Sequence, residues 1–243
     1  MQLTATKRLY LQNDHCFESE AMVIAVHGDE VAFDQTCFYP GGGGQPADEG
    51  FIILNNGDEI KVNSAYTDED QVIWHVCDST QSEDLIGQQV RLNINGERRI
   101  TLTRYHTVLH VLNTIALRDY NGWITGVQIG EEHSRIDFKI EDFSASMAVE
   151  LENKVNAVLR EGHALKSYSI TEDEFRNRED LLRTLDVKPP VVNGMVRVVE
   201  IEGFDAQACG GTHVNSTADV GYFTIFRTDN KGKKNKRFYV KLS

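Results

Sequence analysis

His106 and His110 stand four residues apart in Arg104-Tyr105-His106-Thr107-Val108-Leu109-His110. On a helix, residues at i and i+4 share a face one turn apart, so both imidazoles can reach one metal ion. The pair alone reads more often as two histidines satisfied by core carbonyls or exposed on a helix surface, and the H-E-x-x-H metalloprotease pattern is absent because Thr107 follows His106. Further along, Ala208-Cys209-Gly210-Gly211-Thr212-His213 supplies a thiol and a third imidazole. Gly210 and Gly211 disfavour a helix there and suit a tight loop that turns Cys209 and His213 towards a common point. A thiolate with imidazoles matches Zn²⁺ better than Mg²⁺ or Ca²⁺, which prefer oxygen. Cys209 by itself reads as a small buried hydrophobe. H-x-x-x-H together with C-x-x-x-H makes a complete ligand set for one zinc ion per chain. A single thiolate leaves the ion net positive and able to polarise a carbonyl or a water. Four protein ligands are also what a closed structural site has, so activation of water, positioning of substrate and the permanence of the His213 bond stay open.

The segment Phe38-Tyr39-Pro40-Gly41-Gly42-Gly43-Gly44-Gln45-Pro46-Ala47-Asp48-Glu49-Gly50 is the next candidate. Gly42, Gly43 and Gly44 could cradle a ligand, but Gln45-Pro46 stands where a phosphate-binding loop needs Lys followed by Ser or Thr. Nucleotide hydrolysis is therefore not supported. Four successive glycines read either as a turn in a barrel or as backbone that must approach something closely. The remaining histidines, His15, His27, His75, His133 and His163, have no partner at ligand spacing and read as structural or surface residues.

The elements that must position these groups follow from periodicity. Short apolar or alternating runs at 21–26, 30–33, 51–54, 59–62, 71–76 and 89–94, separated by Asn, Asp and Gly, read as strands of a small β-barrel over residues 1–92. A short helix near 82–86 is the one exception. After Asn95-Gly96 the pattern changes, and 97–118 carries apolar residues at helical spacing without Gly or Pro. A second helix is expected over 144–160 with a Ser start and Gly162 beyond its end, and a third over 172–183 before Pro189-Pro190. Strand-like runs at 135–140, 164–170, 195–201, 220–226 and 237–242 make residues 93–243 an α+β domain with a largely antiparallel sheet.

The 243 residues, 40% hydrophobic and 26% charged with only 4 prolines, describe a chain that folds throughout. No apolar stretch is long enough to span a membrane and no signal-peptide core opens the chain, while Cys16, Cys37, Cys77 and Cys209 lie far apart. A cytoplasmic protein with free thiols is expected. A formal charge of −12 argues against nucleic acid as a partner until its distribution is considered. Between residues 227 and 241 lie seven basic side chains against Asp229 alone. Lys231, Lys233, Lys234, Lys236 and Arg237 form either a solvated hairpin or a phosphate contact.

Thr36-Cys37-Phe38-Tyr39-Pro40 with Gly-Gly-Gly-Gln45-Pro-x-Asp48-x-Gly50, then His106-Thr-x-x-His110, then Cys209-Gly-Gly-Thr-His213-Val resembles the alanyl-tRNA editing hydrolases. These are free-standing relatives of the editing domain of alanyl-tRNA synthetase, and the arrangement is similar to their medium-length AlaX type. Asn93-Ile94-Asn95 and Tyr105 depart from that pattern, where an acidic and a polar residue are frequent. The resemblance implies zinc held by His106, His110, Cys209 and His213, an N-terminal barrel like domain II of translation factors, and hydrolysis of serine, and also glycine, from tRNA(Ala). It makes Thr36 the candidate for reading the serine hydroxyl, against an ordinary β-branched strand residue, and Gln45 the candidate for orienting substrate or water. An alanine pocket cannot strongly exclude a side chain that merely adds a hydroxyl, so a second, hydrolytic site is physically needed. The alternative is a non-catalytic tRNA-binding module with a structural zinc.

Overall fold

The computed structural model describes residues 3–141, 143–184, 189–232 and 235–243, so Lys233 and Lys234 of the basic run lie outside the described residues. Two compact units result: Met1–Gly42 with Pro46–Ile100, and Gly43–Gln45 with Thr101–Ser243.

In the first unit, β1 (Glu18–His27), β2 (Glu30–Phe33), β3 (Gly50–Ile53), β4 (Glu59–Thr67), β5 (Ile73–Cys77) and β6 (Gln89–Ile94) form a closed antiparallel barrel in the order β1-β2-β5-β4-β3-β6. Alternation decides which side chains enter it: on β6, Val90, Leu92 and Ile94 point inward and join Val23, Phe33, Phe38, Ile52 and Val62 in one core. The expected short helix is a 3₁₀ turn, Glu83–Leu85, capped by Ser82.

α1 (Gly96–Tyr120) runs 25 residues and crosses the division between the units. It is followed by β7 (Trp123–Gln128), β8 (Ser134–Lys139), α2 (Ala145–Glu161), β9 (Leu165–Thr171), α3 (Glu172–Phe175), β10 (Met195–Ile201), β11 (Asp205–Ala208), β12 (Phe223–Asn230) and β13 (Asn235–Leu242). One antiparallel sheet has the order β12-β13-β8-β7, and in a second β10 pairs with β9, with β11 and with the short strand Val191–Val192. Leu102, Val108, Leu112 and Ile115 of α1 share a core with Leu151 and Val155 of α2 and with Phe138, Phe223 and Phe238 of the first sheet. The architecture is therefore a small barrel and an α+β unit with antiparallel sheets. No helix among the described residues is long and apolar enough to cross a membrane.

Two expectations need correcting. A single helix over 172–183 is instead the four-residue α3 and a separate 3₁₀ turn at Glu179–Leu181. Only Phe175 and Leu181 pack against a core there, too few apolar side chains to hold a continuous helix. β7 and β11 were not anticipated, because Gly126 interrupts the first and Asp-Ala-Gln-Ala in the second has no strand pattern. Register against β8 and β10 creates both.

His75, on β5, is fully buried between the Phe33 and Phe38 rings, with centroids 4.8 and 5.1 Å away. Its Nδ1–H donates to the Val31 carbonyl (3.1 Å), which leaves Nε2 to accept from the Thr36 hydroxyl (2.8 Å). Burial lowers this imidazole from 6.5 to about 4, against the upward pull of backbone acceptors at Val31 and Ile73. The native state thus keeps His75 neutral while the unfolded chain takes up a proton. Its contribution to stability is present above pH 6.5 and is lost as pH falls towards 4, in total about 3 kcal/mol. The expected outcome for His75→Gln is lower stability at neutral pH and a correspondingly smaller loss between pH 6.5 and 4, read from denaturant unfolding of wild type and variant across that range. Parallel pH curves would show that another group carries the acid sensitivity.

Candidate metal centre

Between Tyr105 and Ala116 every residue of α1 is buried, so this stretch of the helix has no solvent face. Along it Thr103, His106, Thr107, His110, Asn113 and Thr114 recur at three- and four-residue intervals and form a buried polar stripe. Buried polar groups must be paired, and the partners come from the Cys209–His213 loop, from β11 and from the glycine segment.

The loop is set from β10. The Cys209 amide donates to the Arg197 carbonyl (3.0 Å), and Arg197 Nη1 donates back to the Gly211 carbonyl (2.7 Å). A Cβ at Gly211 would run into the His106 imidazole, so glycine is required for the close approach. The result brings one ligand atom each from His106, His110, Cys209 and His213 within 4.8 Å of one another. Cys209 Sγ lies 3.4 Å from His106 Nε2 and 3.5 Å from His213 Nε2. A tetrahedron with a metal–sulfur bond of about 2.3 Å and metal–nitrogen bonds of about 2.0–2.1 Å has N···S edges of about 3.5 Å, so the spacing suits a single ion.

The surroundings also fix which ring nitrogens face that point. His106 Nδ1 donates to Gln45 Oε1 (2.7 Å), an oxygen identified as the carbonyl because the Thr212 amide also donates to it (3.2 Å). The Gln45 amide nitrogen donates to Thr212 Oγ1 (2.9 Å). Thr107 gives its hydroxyl proton to the Thr103 carbonyl (3.0 Å) and therefore accepts from His213 Nδ1 (3.1 Å). Both histidines are thus left with an unprotonated Nε2 for a metal. Gln207 Nε2 donates to the His110 carbonyl (3.1 Å) and to Asp205 Oδ2 (2.8 Å), and the single hydroxyl proton of Thr114 lies between the same two acceptors (2.9 and 2.7 Å). Burial first, and then the positive Arg197, pushes His106 down to about 3; burial and neighbouring imidazoles and arginines hold His110 and His213 well below 6.5. Neutral imidazoles are the metal-binding form.

Gln45 reaches His106 from the glycine segment. Gly44, at φ +85°, has Val127 where a Cβ would lie, and its carbonyl accepts from the Ile129 amide (2.8 Å). The base of the segment is pinned in the first unit: Asp48 accepts from the Tyr39 amide (2.6 Å) and forms a fully buried ion pair with Arg99, which also donates to the Cys37 carbonyl (2.8 Å). Gly43 has nothing beside it, and Gly42 accepts from the Tyr39 hydroxyl.

The predicted residues therefore divide. His106, His110, Cys209, His213 and Gln45 come together. Thr36 lies in the first unit, fully buried, donating to His75 (2.8 Å) and accepting from the Phe38 amide (3.1 Å). In the basic run, Lys231 is exposed, Lys236 donates to Asn230 (2.8 Å), and Arg237 forms a two-bond ion pair with Asp137 (2.7 Å each). Arg197, Thr107, Thr212 and Gln207 were not anticipated; of these only Thr107 and Thr212, inside the two ligand motifs, gave any sequence signal.

Family models match the chain in two places: the second additional domain of threonyl and alanyl tRNA synthetases over residues 196–239, and class II (A) tRNA synthetases over residues 4–98. Barrel, α+β unit and buried ligand cluster thus define a relative of tRNA-synthetase domains. The alanyl-tRNA editing protein AlaX-M of Saccharolobus solfataricus is 33% identical over 234 residues, 96% of this chain and 98% of that protein. AlaX-M of Methanosarcina mazei is 34% identical over 242 residues, 98% of this chain and 96% of its own. The alanine–tRNA ligase of Pyrococcus abyssi is 34% identical over 230 residues, which are 93% of this chain and 25% of the ligase. The chain belongs to the AlaX-M family of alanyl-tRNA editing proteins.

Removing the Gln45 amide while keeping its bulk, as in Gln45→Leu, frees His106 to rotate. The expected effect is a ten- to hundred-fold weaker affinity for Zn²⁺ in competition with a chelator. An unchanged affinity would mean that Gln45 does not hold His106.

Proposed function

We propose that this protein is a zinc-dependent trans-editing hydrolase that acts on mischarged tRNA(Ala), chiefly removing serine, with glycine as the second candidate. What carries the reading is the convergence of three imidazoles and one thiol in a buried centre, in a chain whose relatives are named alanyl-tRNA editing proteins. His106, His110, Cys209 and His213 would hold the zinc, a choice favoured by the mixed nitrogen and sulfur donors and by the two sulfur–nitrogen separations of 3.4 and 3.5 Å. When bound, zinc supplies Lewis acidity towards the ester. Gln45 acts by fixing the His106 ring, since its amide is already engaged there and at Thr212. Gly42 and Gly43 are left as the backbone positions a substrate could approach. Cytoplasmic location follows from the substrate.

Selectivity against alanine requires a polar group that is left unpaired when the hydroxyl is missing. Thr36 suits the role as an acceptor: its proton is committed to His75, so a serine hydroxyl would have to donate to it. Thr36→Val keeps the shape and removes that acceptor, at a cost of about 0.5–1.5 kcal/mol, several-fold in rate, for serine relative to glycine. An unchanged serine-to-glycine ratio would remove Thr36 from the reading. Lys231, Lys236 and Arg237, with Lys233 and Lys234, remain the proposed phosphate contacts, Arg237 exchanging Asp137 for phosphate.

A site closed by four protein ligands also suits a structural ion in a non-catalytic tRNA-binding module. The test is a deacylation panel on tRNA(Ala) charged with serine, glycine or alanine. Release of serine, spared alanine, about one zinc per chain, and loss of both metal and activity in Cys209→Ala are expected. Tight binding of Ser-tRNA(Ala) without release would establish the module instead.

A further inference from the structure

The inner face of the sheet β12-β13-β8-β7 is occupied by Ile136, Phe138, Phe223, Phe238 and Val240 in the core. Its outer face carries a cluster of rings. His133, at the β7–β8 turn, lies 5.9 Å from Phe226 and 6.3 Å from Tyr239, and those two are 6.1 Å apart, all between centroids. Phe226 is 46% exposed, because a bulge between Ile225 and Arg227 turns it outward.

Each of the two larger rings carries a cation: Arg227 Cζ is 4.9 Å from the Tyr239 centroid and Lys241 Nζ 5.3 Å from that of Phe226. One exposed phenylalanine needs no explanation. Three clustered rings flanked by cations, on a chain of net charge −12, are a different matter. Flat rings stack on unpaired bases while neighbouring cations take the backbone, which is how sheet faces hold single-stranded nucleic acid. Beside His133 and Arg135 opens a hollow of about 440 Å³. Glu131 and Glu132 border it as well, so it suits a base and repels a phosphate. Arg227 is held by Asp229 in a two-bond ion pair (2.9 and 2.7 Å), so Lys241 is the cation this face offers directly to a phosphate.

This face is tied to the metal centre. Tyr105, the neighbour of His106, donates its hydroxyl to the Glu132 carbonyl (3.0 Å) and accepts from the Leu242 amide (3.3 Å). The Ile129 amide at the end of β7 donates to Gly44, the neighbour of Gln45 (2.8 Å). The strand ends that present His133 and Lys241 are thus bonded to the segments that present His106 and Gln45.

We propose that the outer face around Phe226 and Tyr239 is a docking surface for single-stranded RNA, namely the unpaired 3′ strand of the tRNA that leads to the aminoacyl ester. Phe226, Tyr239 and His133 stack on its bases, Lys241 meets its phosphates, and Arg227 does so on exchanging Asp229 for phosphate. The proposal rests on the editing function above, and the following experiment separates the two.

Affinities of uncharged tRNA(Ala), intact or trimmed of its unpaired 3′ nucleotides, are measured at fixed salt for wild type, Phe226→Ser, Phe226→Tyr and Lys241→Ala. Expected are roughly ten-fold weaker binding of intact tRNA by Phe226→Ser, recovery in Phe226→Tyr, a smaller loss in Lys241→Ala, and no change for trimmed tRNA in any variant. Metal content and melting temperature serve as checks on folding, since both altered side chains are exposed. Unchanged affinity for intact tRNA, or an equal loss for intact and trimmed tRNA, would overturn the proposal. So would dissociation of a dimer by Phe226→Ser in sedimentation, which would assign the face to a second copy of the chain. If wild type releases no serine while the pattern of affinities holds, the hydrolytic reading fails and the docking surface stands.

Discussion

Six polar side chains are buried along the middle of α1, and the pairing of those side chains organises the second unit. Thr103, His106, Thr107, His110, Asn113 and Thr114 all lie inside. Without partners each would leave a desolvated donor or acceptor, costing about 1–3 kcal/mol apiece. Segments remote in sequence are therefore drawn to α1: the Cys209–His213 loop, Gln207 and Asp205 of β11, and Gln45 from before the barrel closes. For His106 and His213, hydrogen bonds in this network also choose which ring nitrogen faces the centre of the cluster.

The glycine segment obeys a related rule. To deliver Gln45 its backbone must pass where a side chain would collide with Val127. Within the first unit, the buried Asp48–Arg99 pair is joined by the Tyr39 amide and the Cys37 carbonyl as further partners. Such a pair adds little net stability, but loss of either member would leave an uncompensated buried charge. Charge is used here to fix geometry, in the barrel, while burial holds the His106, His110 and His213 imidazoles neutral.

The sequence made some of this legible and hid the rest for identifiable reasons. Barrel strands, α1 and α2 follow from apolar periodicity, and the ligand set follows from two short motifs whose spacing has a geometric meaning. The 172–183 segment misled because its charged residues are helix formers, whereas helices of that length depend on an apolar face it lacks. β7 and β11 exist through register with their neighbours. The hydrogen bonds of Gln45 to His106 and of Thr36 to His75 join residues 61 and 39 positions apart, beyond any local pattern. Arg197 had no signal at all, since its role is to donate to a backbone carbonyl.

The central claim is that His106, His110, Cys209 and His213 bind one zinc together. Its most direct measurement is X-ray absorption at the zinc edge on the metal-loaded protein. The expected first shell has three nitrogens at about 2.0–2.1 Å and one sulfur at about 2.3 Å, with the sulfur lost in Cys209→Ser. A shell of oxygen and nitrogen without sulfur, or one unchanged in Cys209→Ser, would contradict it.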